Sequence, residues 1–160
     1  MFTSRMTLCF ARDNGKILLG KKKRGFGMGK WNGYGGKVKE GETFEEAARR
    51  EWREETETDA LGFSLRGILF LKGEDETHSD IAVRVYEVTD LASPPFESEE
   101  MEPKWFLECA LPFDQMWPDD PHWMPLFLDG KYFTGTFSFE GKTLKTWEVK
   151  EVSPDELAAA

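Results

Sequence analysis

Residues 43–58, "TFEEAARREWREETET", carry the strongest constraint on how this chain can fold. Phe44, Ala47, Ala48 and Trp52 recur at helical spacing and make one apolar stripe. Thr43 with Glu46 three residues on is a capping-box signature for the helix start. One stripe cannot close a core, so the helix must be covered by something else. The rest of the chain is strand-like. "RMTLCFAR" alternates loosely, the turn signal Asp13-Asn14-Gly15-Lys16 follows, and "ILLG" completes a hairpin. Residues 62–73 and 80–90 are rich in Val, Ile and Phe, and residues 104–110 form a further strand. A terminal hairpin turns at Glu140-Gly141. Residues 118–131 start with Asp119 and Asp120 and stop at Asp129-Gly130, a short second helix limited by Pro125. Strands, helix, strands, helix, strands predict an α/β or α+β fold around a mixed sheet.

The chain has 160 residues, enough for one domain with its own core. We expect that domain to span residues 1–152, with 153–160 a flexible tail, and the protein to be a monomer. No apolar run approaches the roughly 18–20 residues that cross a bilayer, and the N-terminal region lacks the pattern of a secretory leader. Cys9 and Cys109 show no metal-binding spacing and read as two buried free thiols in a cytoplasmic protein. The net charge is −9, which argues against a nucleic-acid polymer as partner, since its backbone is held mainly by basic side chains. An acidic protein can still hold a polyphosphate through bridging cations.

Glu51, Glu54 and Glu55 stand at i, i+3 and i+4, on one side of the helix. Glu45–Arg49 and Glu46–Arg50 are supportive pairs of the kind any solvated helix shows, whereas Glu51–Glu55 is a like-charge pair beside the apolar stripe. A solvated face does not account for carboxylates crowded there; a divalent cation with hard oxygen ligands does, with Arg50 holding a glutamate in its ligating rotamer. Ahead of the helix, "GFGMGKWNGYGGK" is not a P-loop, and its partial dinucleotide fingerprint lacks the following helix. Gly33, Gly35 and Gly36 read as close-approach or positive-φ positions, or as a plain tight turn.

Gly36, Glu42, Arg50, Glu51, Glu54 and Glu55 together fall at the spacings of G-x5-E-x7-R-E-U-x-E-E, and in this the chain resembles the Nudix hydrolase family. Trp52 occupies an aliphatic slot, and Glu57-Thr58 replaces the closing glycine-aliphatic pair, so the helix is expected to run on towards Gly62. The blocks "KKRGFGMGKWNGYGGKVKEGET", "ESEEMEPKWF" and "MWPDDPHWMPLFL" resemble the animal-type MutT-like branch, which acts on oxidised purine nucleoside triphosphates, over about residues 3–152.

That resemblance implies an α/β/α sandwich with a central mixed sheet, and a small-molecule nucleotide substrate. It implies Mg²⁺, with Mn²⁺ as a substitute, held by Glu51, Glu54, Glu55, the Gly35 carbonyl and Glu100. It implies that Asn32, Asp119 and Asp120 bond the purine edge, that Trp117 and Phe26 pack on the base, that Thr7 and Phe70 line the pocket, and that Lys22 stands near it. Cleavage within the phosphate chain would release a nucleoside monophosphate and pyrophosphate, with Glu54 or Glu55 nearest the attacking water. Asp119 and Asp120 as adjacent acids should share a proton and offer donor and acceptor together; read without the resemblance, "WPDDP" is first of all a helix start. Trp105 and Trp123 read as core. Two rivals stand beside this reading: a Nudix hydrolase of another nucleoside diphosphate-linked substrate, and a silent nucleotide-binding module.

Overall fold

The computed structural model describes residues 4–73 and 80–160. In chain order the elements are β1 (Ser4–Asp13), β2 (Lys16–Lys22), β3 (Trp31–Asn32), α1 (Phe44–Thr56), β4 (Ala60–Gly73), β5 (Ile81–Leu91), β6 (Met101–Leu107), α2 (Asp120–Leu128), β7 (Tyr132–Glu140), β8 (Thr143–Val152) and α3 (Pro154–Ala159). Neighbouring strands run β3-β2-β1-β5-β4-β7-β8, with β6 also paired to β2. β1 with β5 and β4 with β7 are parallel, and the remaining pairs are antiparallel. The sheet is mixed, as the order of elements predicts. Asn14 and Gly15 both take positive φ, the geometry a two-residue hairpin demands.

Alternation along β1 explains the layering. Phe10 faces one side and meets Trp123 and Phe127 of α2. Cys9 and Ala11 face the other and join Ala48 and Trp52 of α1 in a second apolar cluster. A strand with helices on both faces must be apolar on both, and Phe10, Cys9 and Ala11 are all buried. Cys9 is buried as expected, but Cys109 lies exposed after β6, because the strand ends at Leu107 rather than at Ala110.

Two helix expectations change. α1 stops at Thr56 and does not continue towards Gly62. Glu57 itself takes the left-handed conformation, φ 58° and ψ 24°, and its N–H bonds the Arg53 carbonyl. An Asp59 carboxylate then receives Arg53 at 2.6 Å. Glu46 does not pair with Arg50 either, because its carboxylate accepts from the Thr43 N–H in the capping box. At the other end of the chain, the segment expected to fray is helical. Ser153 caps α3 with Glu156 in a second capping box, and Leu157 is buried where α3 packs on β7 and β4. No helix among the described residues is long and apolar enough to cross a membrane.

Candidate active site

The glycine-rich segment before α1 lies against β1. Tyr34 exchanges backbone hydrogen bonds with Cys9, and the Gly36 carbonyl accepts from Thr7. Between them Gly35 turns its N–H the other way, where it donates to Glu55 at 2.8 Å. Neither Gly35 nor Gly36 has positive φ; close approach is what requires glycine. A Cβ on Gly35 would collide with the Thr7 carbonyl, and one on Gly36 would stand 2.6 Å from the Glu51 carboxylate.

α1 presents its carboxylates to this segment. Arg50 is the organising cation, at 2.7 Å from Glu42, 2.9 Å from Glu51 and 3.3 Å from Glu54. It also donates to the Lys37 carbonyl. Glu42, so bonded, is held down at about 2, chiefly by the Arg50 hydrogen bond and then by the Lys39 N–H. Among the described residues no arginine bonds Glu55, and Lys22 only opposes its rise from a distance. Burial raises it to about 8, against the pull of the Gly35 N–H, and the charges of Glu51 and Glu100 add to the rise. Burial likewise raises Glu51, Arg50 opposes, and Glu54 and Glu100 add to it. Glu100 is thus within electrostatic reach of the half-buried Glu51 and the buried Glu55, while its own carboxylate lies 3.6 Å from Arg24.

Among the described residues no three acidic, His or Cys side chains are gathered closely enough to enclose an ion as they stand. Arg50 holds Glu51 and Glu54 along with Glu42, and the Gly35 N–H holds Glu55. The donor set nonetheless fits a hard divalent cation. Glu51 and Glu55 are carboxylates withdrawn from water with more negative charge than the local cations neutralise, and the backbone beside them is stripped of side chains.

A cavity of about 290 Å³ opens from Glu55 and Gly35. Asp119 and Asp120 are on the same lining, with Trp117, Phe26, Asn32 and Lys22. Phe26 is 74% exposed and stacks on Trp117, ring centres 5.2 Å apart and 27° between planes. Asp119 accepts the Trp123 indole N–H at 2.9 Å, and Asp120 accepts the Trp117 backbone N–H at 3.1 Å. Asp119 is therefore no capping side chain of α2. Burial raises both aspartates, Asp120 the more strongly because Asp119 adds to it; Lys30 opposes that rise, and His122 opposes the rise on Asp119.

Residues 1–127 match the NUDIX domain family. The chain belongs to that family. An oxidized purine nucleoside triphosphate hydrolase of Danio rerio is 46% identical over 142 residues, covering 88% of this chain and 90% of the relative. A protein of the same description from Mus musculus is 41% identical over 156 residues, covering 95% and 98%. The crystal structure of a MutT protein from Bacillus halodurans superposes with a TM-score of 0.81 at 25% identity, covering 92% of this chain and 97% of that one. Nudix hydrolases generally use divalent metal ions, which agrees with the donor set around Glu51 and Glu55.

In this Nudix hydrolase, two residues assigned to the pocket lie off its lining. Thr7 faces the α1 side, where its hydroxyl meets the Gly36 backbone at 3.4 Å; its neighbours Met6 and Leu8 line the cavity. Phe70 is displaced by the same alternation, with Leu69 and Leu71 on the cavity side. Lys30 and Met101, which sequence reasoning missed, are on the lining. Trp123 is core as expected, but it also anchors Asp119. The i,i+4 spacing of the two along α2 is a signal that was open to sequence reasoning.

Proposed function

We propose that this chain hydrolyses oxidised purine nucleoside triphosphates, 8-oxo-dGTP and 2-hydroxy-dATP among them, to the nucleoside monophosphate and pyrophosphate, and so clears damaged nucleotides from the pool. One observation carries the reading. A single cavity joins a buried aspartate pair flanked by aromatic rings to the Glu55 end of the carboxylate cluster. A nucleotide laid along it would set its base against Asp119 and Asp120 and its phosphates beside Glu55.

Glu51, Glu54, Glu55, the Gly35 carbonyl and Glu100 would hold the cation, which we take to be Mg²⁺ with Mn²⁺ as a substitute. When bound, it neutralises phosphate oxygens and makes a water more acidic. Arg50 keeps Glu51 and Glu54 oriented. Glu55 lines the cavity, and Glu54 is half exposed on Arg50, which favours Glu55 as the group beside the attacking water. Asp119 and Asp120, sharing a proton, would present donor and acceptor to the purine edge, with Asn32 alongside. Trp117 and Phe26 cover the ring, and Lys22 reaches towards the phosphate end. We take the enzyme to act as a cytoplasmic monomer.

The test is pyrophosphate release with Mg²⁺ from 8-oxo-dGTP, 2-hydroxy-dATP and dGTP, for the wild type and Glu55→Gln. Turnover of an oxidised purine, reduced at least about a hundredfold in Glu55→Gln, is the expected result. Turnover of dGTP alone would remove the base-pocket assignment. Nucleotide binding without turnover in any lane would leave a silent module.

A further inference from the structure

Lys22, Lys30 and Lys72 line the cavity. Lys22 acts on Glu55. Lys30 belongs to the base end: its ammonium stands 5.2 Å from the centre of the Trp117 ring, the residue whose backbone N–H binds Asp120. Its position is fixed by the backbone, since the Lys30 N–H bonds the Gly27 carbonyl and the Lys30 carbonyl accepts from Lys22. The glycines before it, Gly25, Gly27 and Gly29, all take positive φ and fold the loop back on itself.

The groups acting on the aspartate pair come from three directions. Trp123 and His122 of α2 face Asp119, and His122 itself packs against Trp147 of β8, ring centres 4.1 Å apart and 31° between planes. Asp119 and the Trp117 N–H face Asp120. Lys30 is the cation that reaches Asp120 from the cavity. Two buried carboxyls this close do not both ionise without a counter-charge.

The state of the pair decides which base edge it fits. An ionised carboxylate is acceptor-only and takes two adjacent N–H donors, the edge of a guanine-type base with its ring N1–H and amino group. A protonated carboxyl offers one donor and one acceptor, which fits an adenine-type edge of amino group beside a bare ring nitrogen.

We propose that Lys30 is a specificity-determining residue. Its ammonium is the counter-charge that lets the aspartate pair present a carboxylate to a guanine-type edge, and it thereby tilts the pocket away from adenine-type edges. The inference rests on the base-pocket reading above and adds the group that sets its preference.

The test compares 8-oxo-dGMP with 8-oxo-dAMP, which differ at that edge and share the 8-oxo group. Binding is measured calorimetrically over a range of pH for the wild type, Lys30→Met, Lys30→Gln and Lys30→Arg. Both uncharged variants should lower the guanine-to-adenine affinity ratio by about three- to tenfold at neutral pH, the range of a half-unit to one-unit pKa displacement. The change should shrink as rising pH ionises the pair without help. Lys30→Arg should keep the wild-type ratio. An unchanged ratio in both uncharged variants overturns the proposal, as does an Arg variant that shifts like Met. Wild-type protein that binds neither nucleotide would instead overturn the pocket reading, and this inference with it.

Discussion

At Glu55 two demands conflict. Burial favours the protonated acid, and the Gly35 N–H favours the carboxylate; burial prevails, and the group stays protonated up to about pH 8. In the unfolded chain it ionises near its ordinary 4.5. The folded state therefore holds more protons between those values, and the stability of the metal-free protein falls as pH rises through that window, levelling above it. Glu55→Gln should remove most of that slope and, above pH 8, stabilise the metal-free protein by on the order of a few kcal/mol. Glu51 shifts in the same direction, so part of the slope should survive. Urea denaturation in chelator at several pH values measures this. A variant with the wild-type slope would mean that Glu55 ionises normally.

The exit of α1 shows how an element can keep a geometry without the residue that usually supplies it. Glu57 takes φ 58°, a conformation that costs a side-chain-bearing residue about 1 kcal/mol. The Arg53 carbonyl, the Arg53–Asp59 pair and the Thr56 hydroxyl on the Trp52 carbonyl hold the turn in place. Glu57→Gly should therefore raise stability by about 0.5–1 kcal/mol and leave turnover unaltered, as thermal denaturation and an activity assay would report. A loss of stability would show that the Glu57 side chain contributes a contact outweighing its backbone strain.

For the molecule as a whole, the C-terminal third supplies one end of the sheet, β7 and β8, and part of the cavity lining. Phe133 and Phe137 of β7 are fully buried in the larger core cluster with Trp123 and Phe127, and α3 is pinned over β7 and β4 by Leu157. Leu157→Ala should cost about 2 kcal/mol in global unfolding, by lost burial and the space left behind. Its melting curve should stay a single transition, because α3 packs on the same sheet that carries the site. A separate low-temperature transition would instead mark α3 as an independent appendage.

Local chemistry was enough for the parts of this protein whose signals lie within a few residues. The apolar stripe and capping box of α1, the Asn14-Gly15 turn and the carboxylates at i, i+3 and i+4 follow from helix and hairpin geometry, and so does the mixed sheet implied by the order of elements. The motif spacing from Gly36 to Glu55 was likewise enough to indicate the family. Tertiary packing decided what depends on which face a strand shows. Met6 and Leu8 line the cavity in place of Thr7, and Leu69 and Leu71 in place of Phe70, because one residue of offset turns a side chain to the other face of the sheet. It also decided that Lys30 and Asp120, 90 residues apart in the chain, line one cavity, and that burial raises Glu55. Neither can be read from spacing, since the field at a buried acid is set by the groups that folding brings beside it.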